Sequence, residues 1–296
     1  MPLSIDSGDC KCCFLKNVKE NLNSIKRREH CNVVLDSVAA DLIAVVCAAL
    51  RADVAGVDNV CDVTLTDSVY KMVLSGDTSA VTNCGQFVNI QLAGKFLRRP
   101  ISVCDYDEST LTIIYKVVGS GTEQMSAMIP GEKLDILTGL GNGYDMTKSG
   151  DSVLVIGGGV GVPPMYMLAR LLREEGKKVT AILGFNTKNE IFYEEEFKAL
   201  GCETLVATAD GSYGVKGFVT DAMKGLSYDY FYTCGPEPML KAVYNATEVS
   251  GQFSFEERMG CGFGACMGCS CKTLYGNKRI CKEGPVLEKE EIIWEK

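Results

Sequence analysis

Four cysteines near the C-terminus restrict the possible structures of this chain more than any other feature. They are Cys261, Cys266, Cys269 and Cys281, so that four residues separate the first two and two residues separate the next pair. This spacing matches the plant-type pattern of [2Fe–2S] proteins, in which four thiolates bind two iron atoms. Nearby glycines would let the backbone bend around such a cluster and bring N–H groups close to sulfur. These glycines are Gly260, Gly262, Gly264 and Gly268.

A zinc site is the main alternative for these cysteines. Structural zinc sites usually combine two closely spaced Cys-x2-4-Cys pairs, whereas Cys281 has no near partner in the sequence. The spacing therefore favours an iron–sulfur cluster. On spacing alone, Cys271 could replace Cys269 as the third ligand.

Composition and charge exclude several classes of protein. The chain has 296 residues, 15 cysteines and a formal net charge of −8. The acidic balance argues against a general nucleic-acid binder, because such proteins need a basic surface. The first apolar run, at residues 38–50, is too short to span a bilayer and contains Asp41. With no recognisable signal peptide, we expect a cytoplasmic protein with reduced thiols, no nucleic-acid partner and no membrane association.

The pattern of apolar and turn residues changes along the chain and predicts a multidomain protein of four segments. Residues 1–58 form a partly helical N-terminal extension. Residues 59–148 contain short β-like runs separated by turn residues, as in an antiparallel β-barrel. Residues 149–250 alternate strands with helices, which indicates an α/β domain with a doubly wound parallel sheet. Residues 251–296 form a small C-terminal domain around the cluster motif.

Apolar runs place the individual elements. In the barrel segment they predict strands at residues 60–65, 70–74, 86–92, 101–104 and 111–118. In the α/β segment they predict strands at 152–156, 179–184, 204–208 and 230–233. Helices are predicted at 37–51, 164–175, 194–200, 218–224 and 238–248.

A glycine-rich turn follows the predicted strand at 152–156 and leads into a helix. It reads Gly157-Gly158-Gly159-Val160-Gly161-Val162-Pro163-Pro164. Unpaired N–H groups at a helix N-terminus favour the pyrophosphate of a dinucleotide. The third glycine of the Rossmann fingerprint is missing, which indicates a related but different nucleotide-binding turn. An ordinary strand-to-helix turn is the alternative.

A second strand-to-helix turn reads Cys234-Gly235-Pro236-Glu237-Pro238-Met239. In a parallel sheet both turns lie at the carboxyl edge of the strands, where ligands bind. Taken alone, Cys234 would be interpreted as a buried structural cysteine.

Two features of the β-rich segment are candidate anion sites. Arg98-Arg99-Pro100-Ile101-Ser102 stands at the entry to a strand, where an arginine could bind a phosphate through two N–H groups. Gly119-Ser120-Gly121-Thr122 precedes a short helix, with Thr122 as the predicted N-cap. Each feature is weak alone, because a pair of arginines is usually solvated surface.

The order of these motifs resembles the ferredoxin–NADP reductase superfamily. It runs from Arg-Pro-x-Ser in a barrel, through the Gly-Thr helix start, the glycine turn and Cys-Gly-Pro-x-x-Met, to the cluster loop. Within that superfamily the chain looks most like the electron-transfer subunits of class 1B dihydroorotate dehydrogenases, over residues 59–290. The resemblance implies FAD in the barrel, NAD(H) in the α/β domain and a [2Fe–2S] cluster in the C-terminal loop.

The resemblance also implies roles for individual residues. Those that would bind FAD are Arg99, Pro100, Ile101, Ser102, Tyr115, Gly121 and Thr122. Those that would bind NAD(H) are Gly158, Gly159, Gly161, Pro163, Cys234, Gly235, Pro236 and Met239, with Cys234 next to the nicotinamide. Those that would ligate iron are Cys261, Cys266, Cys269 and Cys281. Ile101 stands where many flavoreductases have an aromatic residue.

The activity that the resemblance implies is a relay of electrons without a catalytic side chain. NADH would give a hydride to the flavin, which would release electrons singly through the cluster. The partner would be an FMN-containing catalytic subunit, a dihydroorotate dehydrogenase of pyrimidine biosynthesis, in a hetero-oligomer. The one histidine, His30, lies outside the matching region.

Two other functions fit the same motifs. The chain could be a reductase subunit for another acceptor, such as a sulfite reductase or a glutamate-synthase-like complex. It could also be an iron–sulfur regulatory or scaffold protein. Bleaching of the flavin by NADH would separate a relay from a scaffold, and co-purification with an FMN protein would separate the partners.

The residues after the second strand of the α/β domain predict a preference for NADH over NADPH. The adenosine ribose lies in this region in related folds. Residues 183–190 contain Lys188 as their one cation, and Glu190 would repel a 2′-phosphate. Phe185 could flank the adenine.

Four cysteines in the N-terminal extension could form a further metal site. They are Cys10, Cys12, Cys13 and Cys31. Their spacing fits no standard iron–sulfur or zinc motif, so free thiols are expected.

Overall fold

The structure, a computed structural model, describes residues 54–294. The predictions for most of the N-terminal extension lie outside the described residues, including the helix at 37–51, His30 and its four cysteines. No helix within residues 54–294 has the length and apolar character needed to cross a membrane.

The first sheet is the predicted antiparallel β-barrel, and it is closed. Its strands are β1 (Val54–Thr64), β2 (Val69–Ser75), β3 (Phe87–Gln91), β4 (Arg99–Tyr106), β5 (Thr110–Lys116) and β6 (Lys133–Leu140). They are hydrogen-bonded in the order β1-β2-β5-β4-β3-β6. Strand β6 was not predicted, because charged Lys133 and Asp135 occupy outward positions in its first half.

Strand β3 is covered on both of its faces. Val88 and Ile90 belong to the apolar cluster that includes the barrel interior. Phe87, which points to the opposite face, belongs to a second apolar cluster together with Cys269 and Cys281. Since alternate residues of a strand face opposite sides, the outer face of β3 is the face that receives the C-terminal segment.

The second sheet is the predicted α/β domain. Its strands are β7 (Ser152–Gly158), β8 (Lys178–Phe185), β9 (Glu203–Thr208), β10 (Val215–Lys216), β11 (Tyr230–Cys234), β12 (Gly251–Ser254) and β15 (Val286–Glu288). Their order is β10-β9-β8-β7-β11-β12-β15, and β15 alone runs antiparallel to its neighbour. Two of these strands, β12 and β15, come from beyond residue 250. A separate hairpin consists of β13 (Ser270–Thr273) and β14 (Gly276–Arg279).

Within residues 54–294, five α-helices connect these strands. They are α1 (Ser120–Ser126), α2 (Val162–Glu174), α3 (Glu194–Ala199), α4 (Val219–Ala222) and α5 (Glu237–Ala246). The bounds of α2, α3 and α5 agree with the prediction within two residues, whereas α4 is shorter than predicted at both ends.

Helix α2 joins the two sheets. Its first turn contains two prolines. Proline is accepted there because N–H groups in the first turn of a helix have no partner within the helix. Its buried side includes Met165, Leu168 and Leu172. On the barrel side, Arg170 forms an ion pair of 2.8 Å with Asp105 of β4. Helix α2 therefore packs against the barrel as well as against its own sheet.

Candidate functional site

The carboxyl edge of the parallel sheet has its switch point between β7 and β11. From β7 the chain builds β8, β9 and β10 on one side, and β11 and β12 follow on the other. The ends of the two central strands are in register, with Gly157 opposite Cys234. Ligands of open α/β sheets bind at such a point, because neighbouring connections diverge there and leave a crevice.

The structure brings the two predicted turns together at this switch point. A Cβ atom on Gly161 would collide with the backbone carbonyl of Cys234, and one on Gly158 would collide with Sδ of Met239. Gly159 has a φ of +52° and nothing within 4 Å of its would-be Cβ. The backbone at the turn is thus packed on one side and open on the other, which fits a dinucleotide that approaches the main chain closely.

The rest of the predicted nucleotide site follows from the same two turns. Pro163 lies in the first turn of α2, directly after the short 3-10 turn Gly159–Gly161. Gly235 has Met239 against it, and Pro236 is the N-cap of α5. The residues predicted for NAD(H) therefore surround one edge of one sheet.

The thiol of Cys234 has a polar neighbour, Ser254, that sequence reasoning did not find. Burial raises the pKa of this thiol to about 12, and a hydrogen bond with Ser254 acts in the opposite direction. Tyr144 also hydrogen-bonds Ser254, and its hydroxyl donates to the carbonyl of Thr233 at 3.2 Å. The thiol is therefore neutral near pH 7, so it can pack against a ligand but not act as a base. Ser254 ends a strand of only four residues, which gives no sequence signal.

The two neighbouring arginines of the barrel have different roles. The Nη1 of Arg98 donates to Asp135 in an ion pair of 2.8 Å. The guanidinium of Arg99 instead lies against Gly121 at the start of α1, where a Cβ atom would collide with Nε. The structure thus joins the two predicted flavin motifs at Arg99 and Gly121. A guanidinium beside a glycine backbone fits a phosphate-bearing nucleotide, because both can offer N–H donors.

The prediction that Thr122 is the N-cap of this helix is wrong. The N-cap is Gly119, and Thr122 is the third residue of α1. Its Oγ1 accepts hydrogen bonds from the N–H groups of Val118 at 2.9 Å and Gly119 at 3.3 Å, and it donates to the Gly119 carbonyl. The threonine therefore reaches back to the residues before the helix, because a glycine N-cap has no side chain that could bond forward.

The other predicted flavin residues lie on β4 and β5. Pro100 and Ser102 are opposite Asn89 and Phe87 of β3, and Ile101 between them packs against the first apolar cluster. Tyr115 is 1% exposed and stacks on Tyr70 with ring centroids 5.9 Å apart. These side chains support the wall of the barrel beside Arg99.

The four cysteines of the C-terminal loop converge through their sulfur atoms. The Cys261 thiol lies close enough to those of Cys266 and Cys281 to interact with them, and the Cys269 thiol interacts with that of Cys281. Cys271 lies on β13 opposite Lys278. The arrangement thus joins the four predicted ligands in one chain of thiol contacts and includes Cys269.

Backbone N–H groups of the loop point at these sulfur atoms. Ala265 and Cys266 direct their N–H groups to the Sγ of Cys261 at 3.2 and 3.4 Å. The N–H of Cys281 is directed to the Sγ of Cys269 at 3.4 Å. Positive φ angles of +78° at Gly262 and +94° at Gly264 make this wrapping possible. Donors aimed at sulfur favour thiolates and fit an iron–sulfur cluster.

Contact among the four thiols also shifts their pKa values in opposite directions. Contact with Cys266 and Cys281 lowers the pKa of Cys261, and contact with Cys281 lowers the pKa of Cys269 to about 7. The same contacts raise the pKa of Cys281. Because metal ligands must be deprotonated, binding of iron would release protons from these thiols.

Comparison with known proteins gives two family matches. Residues 256–293 match the iron–sulfur cluster binding domain of dihydroorotate dehydrogenase B, and residues 155–245 match the oxidoreductase NAD-binding domain. An electron transfer subunit of dihydroorotate dehydrogenase B (NAD(+)) from Fusobacterium nucleatum is 46% identical, over 76% of this chain and 93% of the relative. The corresponding subunit from Bacillus pumilus is 43% identical, over 77% and 93%.

The chain belongs to the family of dihydroorotate dehydrogenase B electron transfer subunits. Membership makes it a subunit of an NAD-dependent oxidoreductase whose cofactors are FAD, NAD(H) and a [2Fe–2S] cluster.

Solved structures show the same fold. That of an NADH-dependent reduced ferredoxin-NADP oxidoreductase is 32% identical, with a TM-score of 0.74 over 80% of this chain and 89% of that one. A cytochrome P450 reductase, GcoB of Amycolatopsis, is 18% identical with a TM-score of 0.59, and it shows the fold alone.

Proposed function

We propose that this chain relays electrons between NADH and an FMN-containing catalytic subunit, a dihydroorotate dehydrogenase, within a cytoplasmic hetero-oligomer. The convergence of the Cys261, Cys266, Cys269 and Cys281 thiols carries this proposal, since a pure dehydrogenase has no use for a one-electron centre. When bound, FAD can accept two electrons as a hydride from NADH and pass them on singly through the cluster.

The NAD(H) site lies at the edge between β7 and β11. The N–H groups at Gly159 and Gly161 would meet the pyrophosphate, next to the N-terminus of α2. Cys234 and Gly235 would line the nicotinamide position from the facing turn. The neutral Cys234 thiol adds no charge to this position, so the contribution of this turn would be to align the two rings and to exclude water.

The FAD site lies on the outside of the barrel between β4 and α1. Arg99 supplies the charge, and Gly121 supplies the space for a phosphate group beside it. Thr122 holds the chain before α1 in place through its contacts with Val118 and Gly119. Pro100, Ile101, Ser102 and Tyr115 form the adjoining wall.

The identity of the relatives supports the dihydroorotate partner over another acceptor. The dihydroorotate dehydrogenase subunits reach 46% identity, whereas the ferredoxin-NADP oxidoreductase structure is 32% identical. Because of this second similarity, a reductase subunit for a different acceptor is the competing function.

Anaerobic titration with NADH tests the relay. The chain is co-expressed with an FMN-containing dihydroorotate dehydrogenase, and the complex is purified and analysed for FAD, FMN and iron. We expect NADH to bleach the flavin and the cluster, and dihydroorotate to do the same through the partner. A complex in which only NADH reduces the cofactors would point to another acceptor, and a chain without iron or FAD would refute the relay itself.

A further inference from the structure

Asn89 is a buried polar residue where the outer face of the barrel meets the cluster loop. It is 1% exposed, and its Nδ2 donates to the backbone carbonyl of Cys261 at 3.2 Å. A carbonyl can only accept, so this bond determines which way the carboxamide faces. Among residues 54–294, the Oδ1 of Asn89 finds no hydrogen-bond partner.

The loop comes this close because of a glycine. Gly262 follows Cys261 directly, has a φ of +78°, and would clash with Nδ2 of Asn89 if it carried a Cβ atom. Any other residue at this position would push the loop away from β3. The bond therefore depends on one residue from each of two segments far apart in sequence.

The same face of the barrel carries residues of the proposed FAD site. Directly opposed residues of antiparallel strands point to the same side. Asn89 is opposite Pro100, and Phe87 is opposite Ser102. Asn89 thus stands beside the flavin strand while it bonds to the residue that bears the first cluster ligand.

A purely structural role explains this residue poorly. A buried amide with an unsatisfied oxygen is less favourable than an apolar side chain of similar shape. The neighbouring Phe87 shows that this face accepts apolar packing against the C-terminal segment. Within residues 54–294, the side chain of Asn89 makes one hydrogen bond, and that bond goes to Cys261.

We propose that Asn89 is a positioning residue that holds the Cys261 loop at a set place against the flavin-binding strand. The inference rests on the proposed function, because it takes Cys261 as an iron ligand and β4 as part of the FAD site. Hydrogen bonds around metal ligands orient them and change the properties of the metal. Asn89 would therefore affect both the cluster and the transfer of electrons to it from the flavin.

Asn89→Leu is the variant that tests this, because leucine keeps the shape and removes the hydrogen bond. Gln91→Leu is the matched control. Gln91 lies two residues along the same strand, and its amide bonds to the carbonyls of Leu92 and Lys95, not to the cluster loop. Each purified holoprotein is measured by iron content, by EPR of the reduced cluster, by a redox titration and by stopped-flow reduction with NADH.

In Asn89→Leu we expect flavin reduction by NADH at the wild-type rate, and reduction of the cluster about tenfold slower. The EPR signal and the midpoint potential of the cluster should shift, while Gln91→Leu should match the wild type. Loss of iron with retention of FAD would also support a loop held by Asn89. Wild-type EPR signal, potential and rate in Asn89→Leu would overturn the inference.

If Asn89→Leu does not fold, Asn89→Asp is measured in its place. Aspartate keeps the shape of the side chain and replaces the N–H donor with a carboxylate oxygen. The same shifts are expected there, and a wild-type EPR signal and potential would again overturn the inference. Absence of iron or FAD from the wild-type protein would instead refute the proposed function, so the two failures are distinguishable.

Discussion

The backbone carbonyl of Cys234 lies directly over the Cα of Gly161, with no room for a side chain between them. This contact joins the two turns at the switch point of the sheet, and it explains why position 161 requires glycine although its φ of −82° would suit any residue.

Gly161→Ala should damage the NAD(H) site. The added methyl group must push the Cys234 turn away, at a cost of about 1–3 kcal/mol in the free energy of unfolding. Displacement of the turn should slow flavin reduction by NADH by about tenfold or more. Stopped-flow absorbance measures the rate. Gly176→Ala is the control, because Gly176 has a φ of +83° and nothing within 4 Å. It should lower stability by about 1 kcal/mol without changing the rate, and a normal rate in Gly161→Ala would contradict the expectation.

Cys266→Ser should remove the [2Fe–2S] absorbance and leave reduction of FAD by NADH largely intact. The cluster loop follows the nucleotide domain, so a lost ligand should not disturb the switch point. Cys271→Ser should keep the full iron content, because Cys269 is the cysteine that contacts Cys281. Iron analysis and visible spectra decide, and a full iron complement in Cys266→Ser would show that the ligand assignment is wrong.

Arg99→Ala should weaken retention of FAD. Loss of a charge-assisted contact to phosphate costs about 1.5–3 kcal/mol of binding free energy. Arg98→Ala is the informative neighbour, because Arg98 is paired with Asp135. We expect it to lower the melting temperature but to leave FAD affinity unchanged in the folded protein. Equal FAD affinity in wild type and Arg99→Ala, measured by fluorescence titration, would exclude Arg99 from the site.

The protein should prefer NADH to NADPH. Lys188, the one cation of residues 183–190, lies over the ring of Tyr213 at 5.9 Å from its centroid. Glu190 accepts hydrogen bonds from the backbone and the side chain of Asn186, so its charge is held in the same loop. Glu190→Gln should therefore raise kcat/KM for NADPH more than for NADH. A wild-type kcat/KM that is higher for NADPH than for NADH would contradict the prediction.

Flavin reduction should not depend on ionisation of Cys234. Burial raises the folded pKa of this thiol to about 12, above its ordinary value of about 8.5. Stability from the neutral thiol is therefore fully present below about pH 8.5, and it is lost as the pH rises through the folded value. We expect a flat rate of hydride transfer from about pH 6 to 9. An inflection in that range that disappears in Cys234→Ala would show that the thiol titrates in the reaction.

The features that sequence reasoning predicted well depend on residues close together in the chain. Cys261, Cys266 and Cys269 must lie on one loop whatever the rest of the protein does. Gly159 to Gly161 must form a tight turn because a strand precedes them and prolines start the next helix. The prediction of an N-cap at Thr122 was wrong because the N-cap is Gly119, which has no side chain. The capping hydrogen bond therefore runs backward, from the N–H groups before the helix to Oγ1 of Thr122. This direction depends on backbone geometry that composition does not reveal.

By itself, the sequence determined the local turns, the cysteine spacing, and the change from barrel to α/β sheet, since each follows from the spacing of neighbouring residues. Only the tertiary structure decided that Gly161 meets Cys234, that Arg99 and not Arg98 lies against Gly121, and that Asn89 bonds to Cys261 across 172 residues. The physical reason is that strand order and packing, not spacing along the chain, determine which distant residues come into contact.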